Sequence, residues 1–368
     1  MCRGNIRGLG AAHSLRWRPH LLCPGARAPL ALDLRQAGVL PFIGATVRNC
    51  GTTALAVHIV GSINLDIITS LDHLPRPGET IIASGTARLP GGKGANQAVA
   101  AARMGAKTHM VGAVGEGDSG RWMRARLAAD GIDVSGVAML PGEDTGTAYI
   151  AVDCVGENHI IVVPGANARL GTVPPVTEGV LLAQLEVPVA TLLPLFANSR
   201  AIRILNGAPA VAKARALFAH VDILVVNQHE LAAFLDEAVG ADMARIATAA
   251  RALICNEGQT VIVTLGAAGA LAVRVDWELH VPALPVIPVD TIGAGDCFCG
   301  ALAALLDEGC GLEEALPYAS VAAALCTLGQ GAAPAMPIRE AVEDLIGKRA
   351  TERALPVKNP VAASLSST

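Results

Sequence analysis

From Leu55 onward, short apolar runs alternate with Ala- and Leu-rich stretches of helical spacing, and this rhythm constrains the fold more than any other property of the chain. The runs at Leu55–Val60, Thr108–Val114, Ala148–Val152, Ile160–Val163, Ala201–Leu205, Ile223–Val226 and Thr260–Leu265 are strand-length and end at turn residues. Gln97–Met104, Gly120–Ala129, Pro209–Ala219 and Ala241–Asn256 carry the helical spacing between them. Strands this apolar, separated by helices, predict a largely parallel α/β sheet covered on both faces. Ligands of such sheets gather beyond the C-terminal strand ends. Two pieces break the rhythm: Ile67–Ser70 with Glu79–Ala83, and Ala148–Val163. They predict a small β-rich flap over one end of the sheet, so the expectation is one domain plus a lid.

Composition removes several alternatives. Hydrophobic residues make up 52% of the chain and charged residues 16%, which excludes a disordered protein. Aromatics are only 3% and the net charge is −4, so neither a base-stacking platform nor a basic footprint for nucleic acid is present. The longest uncharged run, Ala315 to Ile338, contains Pro317, Gly329, Gly331, Pro334 and Pro337, and reads as a buried helix followed by a loop, not a membrane span. The nine cysteines lack CxxC pairs and zinc spacing, as expected of reduced thiols in a reducing compartment. Residues 1–54 differ from the rest: no acidic residue precedes Asp33, while Arg3, Arg7, Arg16, Arg18 and Arg27 are basic. That composition fits a disordered tail, sequence upstream of the true start, or an organellar presequence, although prolines interrupt any long amphipathic helix. Cytoplasm is the default location; a cleaved presequence would make it mitochondrial.

The chemistry concentrates in a few glycine-rich segments. Asp290-Thr291-Ile292-Gly293-Ala294-Gly295-Asp296 follows an apolar run and opens a small-residue helix. Glycines at 293 and 295 let successive N–H groups aim at one point, an anion site at a helix N-terminus. Asp296 then places a carboxylate beside that point, as a base for phosphoryl transfer would be placed, with the nearby amides lowering its pKa. A glycine turn with an aspartate cap fits the same residues. Gly91-Gly92-Lys93-Gly94-Ala95-Asn96-Gln97 is no Walker A loop, because position 87 is Ala and Gly94 follows the lysine. It offers close backbone approach with donors and acceptors for hydroxyls, or simply a glycine-rich helix entry. Asn64 and Asp66 in Gly61-Ser62-Ile63-Asn64-Leu65-Asp66 suit vicinal hydroxyls or an Asx turn. Glu186 in Gln184-Leu185-Glu186 is a third polar candidate. Asn227 and Glu230 could hold water around Mg²⁺ or form a capping box. The loop Thr264-Leu265-Gly266-Ala267-Ala268-Gly269 has room for a nucleotide. Gly115–Gly120 matches the dinucleotide pattern GxGxxG, but Glu116 and Asp118 would face a pyrophosphate.

Taken together and in this order, these segments resemble the ribokinase-like carbohydrate kinases, over about Leu55 to Ile346. The resemblance implies a Rossmann-like three-layer α/β sandwich with a mostly parallel central sheet and a small β-sheet lid. The implied layout is an extension at 1–54, a kinase domain at 55–346 and a tail at 347–368. It implies ATP-dependent phosphorylation of D-ribose at its 5-hydroxyl, with Asp296 as base and Gly293, Ala294 and Gly295 as the anion hole. Asn64, Asp66, Gly92, Lys93, Gly94, Asn96 and Glu186, with Asp296, would bind the sugar. Asn227, Thr264, Leu265, Gly266, Ala267, Ala268, Gly269, Gly295 and Ser320 would surround ATP. Mg²⁺ and K⁺ are implied cofactors, Mg²⁺ through water at Asn227 and Glu230, K⁺ at Asp290, Ile292, Cys326, Gly329, Gly331 and Ala335. Gly329 and Ala335 depart from the family, which often carries an arginine and a hydroxyl residue there. The lid would form the contact of a homodimer. Related sugar or nucleoside kinases, a non-catalytic sugar-binding protein and a nicotinamide dehydrogenase are the competing readings.

Overall fold

The structure, a computed structural model, describes residues 54–354, with side chains through residue 347. The Arg-rich extension up to Thr53 and the last residues from Leu355 lie outside the described residues. Thirteen strands and nine α-helices follow in this range. The strands are β1 (Val57–Val60), β2 (Asn64–Ser70), β3 (Gly85–Gly91), β4 (Thr108–Gly115), β5 (Asp133–Leu140), β6 (Gly146–Val152), β7 (Asn158–Val163), β8 (Val180–Gln184), β9 (Ile202–Asn206), β10 (Ile223–Asn227), β11 (Thr260–Thr264), β12 (Ala270–Val273) and β13 (Glu278–Val281). The helices are α1 (Lys93–Arg103), α2 (Asp118–Ala129), α3 (Val189–Asn198), α4 (Gln228–Leu235), α5 (Met243–Arg251), α6 (Ala294–Asp307), α7 (Leu312–Cys326), α8 (Ala332–Ala335) and α9 (Arg339–Ala354).

Nine strands form the main sheet in the order β13-β12-β11-β10-β9-β8-β1-β4-β5. It is parallel from β11 through β5, and β12 and β13 add an antiparallel edge. Alternate side chains of one strand enter opposite cores, as the period-two geometry of a strand requires. Val57 and Ile59 pack with α1, α2, α6 and α7, while Val60 packs with α3, α4 and α5. The uncharged inner strands β8, β10 and β11 can be buried on both faces only because helices cover both.

The second sheet has the order β3-β2-β6-β7 and forms the lid. It is mixed: β2 pairs β6 in parallel, and β3 and β7 run antiparallel to their neighbours. Its first strand lies not at Glu79–Ala83 but at Gly85–Gly91. Glu79 instead closes a turn, its backbone N–H bonded to the Arg76 carbonyl and its carboxylate to the Arg76 N–H. Pro90 masks β3 in the sequence; it is tolerated because β3 is an edge strand. The segment expected to be helical at Pro209–Ala219 is a 3-10 helix at Ala212–His220. Helix α9 runs past residue 346, to Ala354. Cys297, Cys299, Cys310 and Cys326 are buried, whereas Cys154 and Cys255 are exposed. No helix among the described residues is long and apolar enough to cross a membrane.

Candidate active site

The site lies where β1, β8 and β9 end and α1 and α6 begin. Helix α1 starts at Lys93, four residues before the helical spacing that the sequence shows from Gln97, so Lys93, Asn96 and Gln97 all stand on its first turns. Three glycines make this approach possible. Gly92 has φ +89°, and a Cβ there would lie 2.7 Å from the Asn64 nitrogen. A Cβ at Gly94 would lie 2.7 Å from the Gly61 carbonyl carbon. A Cβ at Gly91 would lie 2.1 Å from the Asp66 carboxylate oxygens. These are requirements of close packing, and each brings a polar side chain to the same point.

Asp296 occupies the first turn of α6, after Gly293 in the left-handed region at φ +81°. It is not a helix cap. Its carboxylate points across to α1, where Oδ2 accepts from Asn96 Nδ2 at 2.9 Å and Oδ1 accepts from Gln97 Nε2 at 2.9 Å. Burial pushes its pKa up, and Lys93, Asn96 and Gln97 only partly oppose that. The expectation of a lowered pKa is therefore corrected: desolvation of a buried carboxylate outweighs the local hydrogen bonds and charge. The helix start leaves the N–H groups of Gly295 and Asp296 without intrahelical acceptors, while the Ala294 N–H donates to the Thr291 carbonyl at 3.3 Å.

The other charged groups surround this carboxylate. Lys93 is held fully protonated, chiefly by Asp296 and also by Glu186 and Glu230. Glu186 accepts from Ser62 Oγ at 2.5 Å and from the Lys93 N–H at 3.2 Å. Asp66 is raised to about 7, mainly by burial and then by Glu186 and Asp296. Asn64 accepts from Asn167 Nδ2 at 2.7 Å, and Asn167 also bridges both backbone groups of Ile63. Sequence reasoning missed Asn167 and Ser62. The glycine pairing was a usable signal: a Cβ at Gly146 would lie 2.2 Å from Asn167 and 2.3 Å from Asn64. One buried acceptor, Asn96 Oδ1, has no protein partner among the described residues.

The second half of the site is built mostly of backbone. Asn227 and Thr264 are register partners at the C-terminal ends of β10 and β11. Asn227 and Glu230 form a reciprocal capping box, both bonds 2.8 Å. Glu230 nevertheless faces Lys93 and Asp296, and burial raises its pKa. The loop from Leu265 to Gly269 closes on itself through Leu265 N–H to the Gly269 carbonyl at 2.7 Å. Gly266 and Gly269 take positive φ, and a Cβ at Gly269 would lie 2.0 Å from the Val281 carbonyl. Ser320 is buried on α7. Among the described residues no hydrogen bond ties this loop or Ser320 to the Asp296 cluster.

Of the residues singled out for K⁺, Asp290, Ile292, Gly329 and Gly331 lie in neighbouring loops, Cys326 ends α7 and Ala335 ends α8. The Asp290 carboxylate accepts from the N–H of Ile292 and of Gly331, each at 2.9 Å. The Gly329 N–H donates to the Cys326 carbonyl at 3.3 Å. A Cβ at Gly329 would lie 2.8 Å from the Ala335 Cβ, so the two departures from the family pattern fill each other's space. A Cβ at Gly120 would lie 1.9 Å from the Gly115 carbonyl, and that close strand-to-helix contact accounts for the glycine.

Comparison with known proteins narrows the readings. The pfkB family carbohydrate kinase pattern matches residues 55–339. The chain belongs to the pfkB family of carbohydrate kinases. This kinase is 35% identical over 300 residues to the ribokinase of Bacillus subtilis (strain 168), covering 79% of this chain and 99% of that one. It is 34% identical over 292 residues to the deoxyribokinase of Salmonella typhi, covering 76% and 95%. The solved Arabidopsis thaliana ribokinase, complexed with ribose and ATP, superposes with a TM-score of 0.70 at 31% identity, covering 80% of this kinase and 99% of that chain. The large, mostly parallel sheet with a small lid sheet is the shared architecture, and the dehydrogenase reading is set aside.

Proposed function

We propose that this kinase transfers the γ-phosphoryl group of ATP to the 5-hydroxyl of D-ribose, with Asp296 as the base. The observation that carries the reading is the pairing of two buried acceptors. The Asp296 carboxylate and the unpartnered Asn96 Oδ1 belong to one hydrogen-bonded group, beside the charged Lys93. A buried acceptor without a donor is unfavourable, and a polyhydroxylated ligand supplies the missing donors. Asn64, Asp66, Gly92, Lys93, Gly94, Asn96 and Glu186 would hold the sugar hydroxyls. The loop from Thr264 to Gly269, with Asn227, Gly295 and Ser320, would hold ATP.

In the reaction the hydroxyl oxygen forms a bond to the γ-phosphorus while the bond to the β,γ-bridging oxygen breaks and ADP leaves. Asp296 receives the hydroxyl proton. A base raised by burial accepts that proton more readily than an ordinary carboxylate, while Gln97 and Asn96 keep it oriented. The amides of Gly293, Ala294 and Gly295 would stabilise charge on the transferring group, since phosphoryl transfer depends on alignment and charge neutralisation. The lid excludes water and limits ATP hydrolysis.

The residues present fit both ions. No group of three or more His, Cys, Asp or Glu side chains among the described residues could hold a metal. Mg²⁺ carried on the nucleotide phosphates would be touched through water by Asn227 and Glu230. Such an ion supplies charge neutralisation at the phosphates. Asp290, by gathering the backbone of Ile292 and Gly331, organises the loops whose oxygens would hold K⁺. The lid face carries exposed Tyr149 and Ile161, apolar surface that a homodimer through the lid would cover. The cytoplasm is the proposed compartment.

The test is coupled ATP turnover with D-ribose, 2-deoxyribose, fructose and adenosine, with and without K⁺. Ribose-dependent ADP release stimulated by K⁺ is the expected outcome. Preference for 2-deoxyribose would keep the mechanism and change the substrate.

A further inference from the structure

Behind Asp296 lies a chain of buried amides that has no part in holding the sugar or the nucleotide in the reading above. Gln97 is fully buried on α1. Its Nε2 donates both to Asp296 Oδ1 at 2.9 Å and to Asn206 Oδ1 at 3.1 Å, while its Oε1 accepts from Gln184 Nε2 at 2.5 Å. Gln184 and Asn206 are register partners at the ends of the adjacent parallel strands β8 and β9. Asn206 is itself fixed, because its Nδ2 donates to the Val225 carbonyl at 3.3 Å. Space for Gln184 exists only because residue 61 is glycine; a Cβ there would lie 1.9 Å from Gln184 Oε1.

The directions of these bonds matter. Rotating the Gln97 amide by half a turn would set its oxygen against the oxygens of Asp296 and Asn206, and its NH₂ against that of Gln184. Three repulsions would replace three bonds, so the two strand-end amides leave Gln97 one orientation. In that orientation it presents a donor, never an acceptor, to the carboxylate. The cost of this arrangement is visible: Gln184 Oε1 is a buried acceptor with no partner among the described residues.

We propose that Gln97, locked by Gln184 and Asn206, is a positioning residue for the phosphoryl-transfer step, holding the Asp296 carboxylate ionised and aimed at the substrate hydroxyl. The inference rests on the reading of Asp296 as the base. Asp296 also faces Lys93 on α1, Glu186 after β8, Asp66 on β2, Glu230 on α4, Cys297 and Cys299 on α6 and Cys326 on α7. Of these, only Lys93 carries positive charge. Removing a donated hydrogen bond from the carboxylate therefore leaves it in surroundings that favour its protonated form.

The experiment measures single-turnover phosphoryl transfer from ATP to D-ribose, or to whichever sugar turns over, as a function of pH. It compares the native chain with Gln97→Met, Gln184→Met and Asp296→Asn. For Gln97→Met the expected result is a rate about 100-fold lower near neutral pH with little change in sugar KM, as for a misaligned reacting group. Its acid limb should move up by about one pH unit, so that part of the deficit recovers as pH rises. Gln184→Met, which touches only Gln97 in this chain of bonds, should show the same shift with a loss of about tenfold. A folded Gln97→Met protein whose acid limb stays in place would overturn the proposal, since lost packing lowers the rate without moving the limb. Where Gln97→Met fails to fold, the limb of Gln184→Met decides in the same way. If Asp296→Asn retains turnover, the base assignment falls and the positioning role falls with it. If Asp296→Asn is inactive while the glutamine variants keep the native profile, only the positioning role is lost.

Discussion

The half of the site proposed to hold the sugar and the half proposed to hold the nucleotide are made of different material. Around Asp296 the structure packs carboxylates, amides and a lysine from six elements into a buried cluster, each group held by a side-chain bond or a neighbouring charge. Around Thr264–Gly269 there are strand ends, positive-φ glycines and a capping box, and almost no side-chain contact. The difference fits what each half is proposed to recognise. A small polyol presents only hydroxyls, so discrimination needs donors and acceptors at fixed points, and fixing them requires burial. A nucleotide brings its own charge and a large planar base, so backbone N–H groups and open space suffice. The burial that gives the sugar half its definition also raises the pKa of Asp66, Glu230 and Asp296 together.

The comparison can be broken most directly at Asp296. Asp296→Asn should lower kcat by about 10³-fold or more through loss of the base. Its melting temperature should hold or rise, because a neutral amide replaces a buried carboxylate. Coupled ADP release and thermal melts check both parts. Next comes Gly293, where φ is +81° and a Cβ would meet the Ala332 Cβ at 2.6 Å. Gly293→Ala should cost about 1–3 kcal/mol of stability from left-handed strain and overpacking, with a loss of kcat beyond what the melting curve explains.

A smaller effect sharpens the electrostatic side. Burial, with Glu186 and Asp296 nearby, pushes the Asp66 carboxyl up to about 7 in the folded chain, so between roughly pH 4 and 7 the folded protein binds more protons than the unfolded one. Its contribution to stability is therefore full at low pH and is lost as pH rises through 7. Asp66→Asn should flatten that decline, and melting temperatures across this window, native against variant, measure it. The smallest effect belongs to the nucleotide half. Asn227→Ala removes the capping box and should cost about 1 kcal/mol of stability. It should raise the KM for ATP while leaving the KM for the sugar alone, as steady-state kinetics would show; an altered sugar KM would mean that the two halves are not separate.

The glycine-rich segments were legible because glycine is the one residue whose presence reports a neighbour. Gly91 and Gly92 pointed to a close backbone approach and Gly293 to a tight turn, and the structure has both; Gly295, read with Gly293 as a turn glycine, lies inside α6 with open space around it. Asn167 and the Gln97–Gln184–Asn206 chain were not legible. Each is an ordinary amide in an ordinary helix, strand or turn, and its importance lies wholly in a partner far along the chain. Strand β3 was misplaced because its proline argues against a strand until the sheet shows that it lies at the edge. The Asp296 pKa went the wrong way for a related reason. Local amides are visible in sequence, whereas the burial that overrides them is not.

What the sequence determined by itself is whatever depends on local spacing: the alternation of strands and helices, the helix start at Gly293–Asp296, the turn glycines and the family to which they point. Periodicity and backbone sterics act over a few residues, so they survive without the fold. What only the tertiary structure decided is which polar groups meet: Asn96 and Gln97 on Asp296 across some 200 positions, Ser62 on Glu186, Ala335 filling the space beside Gly329. Those contacts depend on how the sheet orders its strands and how closely α1 and α6 approach. Burial then raises the pKa of Asp66, Glu230 and Asp296, because desolvation belongs to the packed molecule and to no segment of the chain.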